Sequence, residues 1–192
     1  IIYFQLQVYI LKSMTVQVLY KNKAKLTNTG AITLFTEEKF QIKNLGRFLP
    51  KNSALYADKI LKNKKNTKEN IISFNINENT TLILVSLKKD LKSSDVENLG
   101  AEFYNFIKKS SFKDLSIFCE SLKSKPGKDF IGRFVHGLKL KSYEFNIYKS
   151  KKIKNILAIS LIGKQSTLAQ KNKFKFKALE EGTFFTRDLV SE

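Results

Sequence analysis

Few side chains in this sequence could carry chemistry, and their numbers already narrow the reactions open to it. There is one cysteine, Cys119, and one histidine, His136. A thiol nucleophile needs a base beside it, so a Cys119–His136 dyad is the one such pairing the composition permits. Cys119 closes the apolar run 115–119, however, where a free cysteine behaves as a small hydrophobe. His136 lies in a helical pattern and reads as a helix-surface residue, because a metal needs several ligands and there is no second histidine. A lone cysteine also excludes a disulfide framework and any multi-cysteine zinc module. Near the end of the chain Asp188 and Glu192 stand four apart, preceded by Glu180 and Glu181, with Arg187 adjacent. That spacing reads as ion pairing on a helix surface, worth roughly a few tenths of a kcal/mol, rather than as an acid–base pair. Tyr143, Phe145 and Tyr148 beside Lys149, Lys151, Lys152 and Lys154 have the makings of a base-stacking platform, but read better as core aromatics next to a solvated lysine turn. No phosphate-binding loop, dinucleotide fingerprint or serine nucleophile elbow occurs.

These residues must be held by elements that hydrophobic periodicity makes legible. Thr15–Tyr20 alternates as a strand, and Ala31–Phe35 forms a second one after a turn at Asn28–Gly30. A helix over 52–62 follows Pro50, and the Lys- and Asn-rich stretch 62–70 reads as a loop. Ile71–Ile76 and Thr81–Leu87 flank a polar turn and form a hairpin. Ser94 and Glu97 have capping-box spacing, and the helix they open places Val96, Leu99, Phe103, Phe106 and Ile107 on one face. Leu115–Cys119 is a short buried strand. Pro126-Gly127 then precedes a helix with Ile131, Phe134, Leu138 and Phe145 at three-to-four spacing. Ile156–Ile162 is a last strand. In the final helix Phe174, Ala178, Gly182, Phe185 and Leu189 form a stripe, on which Gly182 would allow close approach to a neighbour. The order is that of an α/β domain with helices returning across a mixed sheet, and it contains no internal repeat.

Composition sets the outer limits. The chain has 192 residues, 42% of them hydrophobic, with 8 Gly and 2 Pro, which supports a true core and excludes collagen-like, linker-like and disordered classes. A net charge of +18 invites a nucleic-acid reading. Yet 32 Lys stand against 3 Arg, alongside 15 Asn, 18 Ile and 16 Phe, a bias that AT-rich coding produces without any ligand. Arginine, the side chain that forks onto phosphate and reads guanine, is nearly absent. A basic nucleic-acid-binding module is therefore the alternative and not the first reading. No apolar run approaches the roughly 18 residues that span a bilayer. Residues 1–13 precede the single Met14, lack a basic start and a cleavage site, and are read as an upstream extension, with an added edge strand as the structural alternative. The chain stops at Glu192 within a helical pattern, as a truncated reading frame does.

Two segments carry a resemblance. One runs from Gly137 through Leu140, Tyr143, Phe145 and Tyr148 to Lys149-Ser150; the other is Glu180-Glu181-Gly182-Thr183-Phe184-Phe185-Thr186-Arg187-Asp188-Leu189-Val190-Ser191-Glu192. In order and spacing they resemble the leucine (cytosol) aminopeptidase family at the end of its N-terminal domain. There a G-x-x-L-x-x-Y-x-F-x-x-Y-K-[ST] helix end is followed by a strand and then by E-G-x-x-x-x-R-D-L-x-x-E-P. The resemblance extends over residues 14–192 and is weaker before about 130.

The resemblance implies a macro-domain-like α/β domain over 14–163, with a mixed sheet flanked by helices, and a connector helix over 164–192 leading to a C-terminal catalytic domain. It implies a cytoplasmic, homohexameric exopeptidase that releases N-terminal amino acids, leucine preferentially, from peptide substrates. Two divalent ions, zinc or manganese, would activate a bridging water there. The family's metal ligands lie beyond residue 192, so no catalytic, cofactor-binding or metal-binding residue is assigned to this chain. Arg187 and Asp188 are expected to fix the domain junction. Neither a membrane nor a nucleic acid is an expected partner. ADP-ribose binding through the macro-like fold would need a glycine-rich phosphate loop, which the isolated Gly46, Gly100 and Gly163 do not supply.

Overall fold

The computed structural model describes residues 16–23, 30–63, 69–110, 112, 114–121, 127, 129–144 and 156–191. The 1–13 extension, most of the expected 62–70 loop, and Phe145, Tyr148, Lys149, Lys151, Lys152 and Lys154 lie outside them. The strands are β1 (Val16–Lys21), β2 (Gly30–Thr36), β3 (Ile71–Asn77), β4 (Thr80–Ser86), β5 (Asp114–Phe118) and β6 (Leu157–Ile162). The helices are α1 (Lys51–Asn63), α2 (Ser93–Lys108), α3 (Phe130–Ser142), α4 (Lys164–Lys171) and α5 (Lys173–Ser191). The strands form one sheet in the order β1-β6-β5-β2-β4-β3, parallel throughout except for the β3–β4 hairpin. This is the mixed α/β sheet flanked by helices, ending in a helix, that the sequence leads one to expect.

Central strands read as continuous apolar runs because both faces are covered. On β2, Ala31 and Phe35 enter the core beneath α2 and α3, while Ile32 and Leu34 enter the opposite core, which α1 covers with Ala54 and Ala57. This is the period-two alternation of a strand. Phe35 is fully buried and packs edge-to-face against Phe130 and Phe134 of α3, with both ring centroids at 5.1 Å. Such aromatic pairs contribute about 1 kcal/mol each beyond their burial.

Helices α2 and α3 come together through glycine. A Cβ at Gly137 would lie 1.9 Å from the Glu97 carbonyl oxygen, and one at Gly100 would lie 2.0 Å from that of Phe134. Gly132 likewise leaves room for the Phe176 ring of α5, 2.5 Å from where its Cβ would be.

Three sequence expectations are corrected here. Helix α2 starts at Ser93, so Ser94 is already inside it and cannot cap it. The Asp95 carboxylate instead accepts the Lys92 backbone N–H at 2.9 Å, and Glu97 pairs with Arg133 of α3 at 3.1 Å. In α5 the stripe of Phe174, Ala178, Gly182, Phe185 and Leu189 faces outward, and no atom comes within 4 Å of a Cβ built on Gly182. The packed face is Phe176, Glu180 and Phe184. Both stripes have helical spacing, so periodicity alone could not choose between them, and the buried one carries a charge. The segment expected as a single connector is two helices that break at Asn172, whose side-chain amide donates to Asp129 at 2.8 Å.

Candidate functional site

The two motif segments form the two sides of one contact, where α5 crosses the C-terminal half of α3. Glu180, only 3% exposed, stands at its centre. One carboxylate oxygen is 3.4 Å from His136 Nδ1, and the other accepts from Lys139 Nζ at 3.0 Å. His136 and Lys139 are three apart on α3 and so share a face. The His136 ring also lies against Phe176, with centroids 5.3 Å apart. His136 is therefore a buried partner of a carboxylate, which corrects the helix-surface reading. Glu180 likewise leaves the set of surface ion pairs, whereas Glu181 keeps to it through Lys177 at 3.5 Å.

One turn and more along α5, Tyr143 stacks on Phe184 at 4.9 Å with 20° between the rings, and its hydroxyl donates to Asp188. Arg187 donates to the Leu140 carbonyl at 2.8 Å and lies 5.7 Å from the Tyr143 ring centroid. Leu140 belongs to the last turn of α3, whose carbonyls lack intrahelical donors, so the guanidinium caps that helix and complements its negative end. Arg187 and Asp188 thus hold helix to helix. Tyr143 is half-buried in this contact, its ring stacked on Phe184.

The polar groups of this contact are engaged with one another. Both Glu180 oxygens are engaged, and burial pushes the Cys119 thiol up to about 12, far from a reactive thiolate. Cys119 and His136 have separate partners: the thiol donates to the Ile117 carbonyl at 3.7 Å, while the imidazole meets Glu180 and Phe176. Tyr20 near the end of β1 is also pushed up to about 12, first by burial, then by the nearby Glu180 carboxylate. Among the described residues no group of three or more His, Cys, Asp and Glu side chains could hold a metal ion. Nor do Gly46, Gly100 and Gly163 form one phosphate loop. Gly100 is spent on helix packing, and Gly163 makes a positive-φ turn (118°) beside Glu120. No helix among the described residues is long and apolar enough to cross a membrane.

The sequence did hold a signal for the buried pair. Lys139 and His136 interrupt an otherwise apolar and small run on α3, and Glu180 sits four residues from both Phe176 and Phe184.

Fold and contact together define an α/β domain whose helix α5 is clamped onto α3 by a Glu…Arg-Asp motif. A model of the cytosol aminopeptidase family, N-terminal domain, matches residues 47–152, more than half of the chain, and the chain belongs to that family. Among solved structures it is similar to a tomato leucine aminopeptidase mutant, with a TM-score of 0.64 and 16% identity over 94% of this chain. It spans only 39% of that protein. No curated protein matches it.

Proposed function

We propose that the chain is the N-terminal, non-catalytic domain of a cytoplasmic leucyl aminopeptidase, a two-metal exopeptidase that releases N-terminal amino acids from peptides. In this reading its partner is its own C-terminal catalytic domain, within a homohexamer. Two divalent ions, zinc or manganese, supply an activated water in that domain. The described residues here do not fit such a pair of ions, and no step of the reaction is assigned to them.

The observation that carries the reading is the Glu180…Arg187-Asp188 segment folded onto the Tyr143 helix end, within a chain that belongs to the family. The outer face of α5 supports a connector role. Phe174 is 70% exposed and Val190 84%, with Leu179, Phe185 and Leu189 also half or more exposed along the same helix. Apolar surface of this extent, continuous along one helix, marks a docking face. The domain holds α5 from behind through Glu180 and Asp188 and leaves this face to the catalytic domain.

The test uses a protein whose reading frame runs on past Glu192. Phe185→Ser with Leu189→Ser should convert an assembled, active species into one of lower mass with leucine release down at least tenfold. Lys59→Glu, on the exposed surface of α1 and away from α5, should leave both unchanged. Full mass and activity in the double variant would overturn the docking role.

A further inference from the structure

A second feature lies at the other end of α3. Strands β2 and β4 are parallel neighbours, yet their connections leave toward opposite faces of the sheet: β2 leads to α1, and β4 leads to α2. In an open α/β sheet such a switch point leaves a crevice outside the carboxyl ends of the strands, where ligands bind. This one holds a cavity of about 1000 Å³, walled by the segment after β2 and the loop after β4. That volume is at the upper end for small-ligand sites.

The lining sets the chemistry. Its floor is apolar, made by the buried side chains of Leu87, Val96 and Phe130. Around it charge of both signs is presented in equal measure. Arg133 is paired with Glu97, whereas Glu38 accepts only the Lys89 backbone N–H at 3.3 Å and Asp129 only the Asn172 amide, neutral donors that leave both carboxylates in the lining. The side chains of Lys39, Lys88 and Lys89 remain on the cationic side, and those of Glu37 and Asp90 join Glu38 and Asp129 on the anionic side. The N-terminus of α3 also opens here, with the Asp129 carboxylate at its cap hydrogen-bonded to Asn172 and itself part of the lining. A polyphosphate would meet Glu37 and Asp90 unfavourably, and a polycation would meet the lysines. A ligand with one free ammonium, one free carboxylate and an aliphatic side chain matches both the charge balance and the floor.

We propose that the crevice at the ends of β2 and β4 binds a short zwitterionic peptide with an aliphatic side chain. The carboxylate is held by the lysines, the ammonium by Glu37 and Asp90, and the side chain by Leu87, Val96 and Phe130. This rests on the lining and not on the aminopeptidase reading, so either can fail alone.

The experiment titrates the isotopically labelled 192-residue chain with the tripeptide Leu-Ala-Leu and follows backbone amide shifts. Saturable shifts at Leu87, Lys89 and Val96 are expected, with a Kd below about 1 mM. The N-acetylated and the C-amidated tripeptides should each bind at least tenfold more weakly. Ser93→Trp, a change at an exposed lining position, should abolish the shifts while leaving the far-UV spectrum intact. Absence of saturation, or equal binding of either blocked peptide, would overturn the proposal. So would inorganic phosphate binding as tightly as the tripeptide, which would make the crevice an anion pocket.

Discussion

Gly137→Ala and Gly182→Ala are the same substitution inside two helices, and the structure gives them opposite signs. At Gly137 the added methyl would sit 1.9 Å from the Glu97 carbonyl oxygen and 2.8 Å from its Cα. A carbon–oxygen contact needs about 3.3 Å, so α2 and α3 must separate by about 1.4 Å. That opens the seam where Phe103, Phe134 and Leu138 are buried. Overpacking of this kind costs about 3 kcal/mol at the upper end of its usual range. Alanine's better helix propensity returns about 1 kcal/mol, leaving a net loss of about 2 kcal/mol. At Gly182 the methyl meets nothing within 4 Å, so only the propensity gain remains, about 0.5–1 kcal/mol of added stability. The chain has no tryptophan, so urea unfolding is best followed by far-UV circular dichroism. With a slope of about 2 kcal/mol per molar urea, the two midpoints should fall more than about 1 M apart on opposite sides of the parent. Gly137→Ala at or above the parent midpoint would refute the close α2–α3 crossing. Gly182→Ala falling with it would refute the outward orientation of that face.

Other expectations follow from the junction and the buried thiol. Glu180→Ala removes the carboxylate that His136 and Lys139 share and should destabilise the chain by about 3 kcal/mol in the same urea assay, because it strands buried partners. Arg187→Ala should cost about 1 kcal/mol through loss of the cap on Leu140, and Arg187→Lys should not restore the stacking over Tyr143. Cys119 holds its proton in the folded chain up to about 12, against an ordinary value of 9.0. Its contribution to stability is therefore complete below pH 9 and lost as pH rises from 9 toward 12. Cys119→Ala should flatten the fall of the urea midpoint between pH 9 and 10.5. At neutral pH a thiol reagent should modify native Cys119 only as fast as the chain opens, and immediate labelling would contradict its burial.

The sheet was legible because its strands are buried on both sides. Leu82–Val85 and Leu115–Cys119 are too short and too uniformly apolar for anything but covered strands, and only end positions differ. Where the reading erred, the deciding information was tertiary. Nothing local distinguishes Gly137, jammed against another helix, from Gly182, which faces open space; each is a glycine in a helical run. A charge ordinarily belongs on the surface, so nothing local marks Glu180 as buried, and its partners His136 and Lys139 lie more than forty residues away on α3. Ser94 and Glu97 have capping-box spacing, but the helix begins at Ser93 with Lys92 as its N-cap, two residues before the expected cap, and Asp95 takes the role of Glu97. Arg187 and Asp188 stand out in the sequence only as motif positions, and that they grip the end of α3 within this chain depended on the fold. The crevice at β2 and β4 left no mark in the sequence, since its walls come from three separate connections.

The central claim is that this domain belongs to a leucine-releasing exopeptidase whose chemistry lies in another domain. Leucine release from a leucyl amide, by the 192-residue chain and by protein whose reading frame continues past Glu192, tests it most directly. The account predicts no release by the 192 residues and manganese- or zinc-dependent release by the longer protein, abolished by a chelator. Chelator-insensitive release, or none from a longer protein that is folded and metal-loaded, would contradict it.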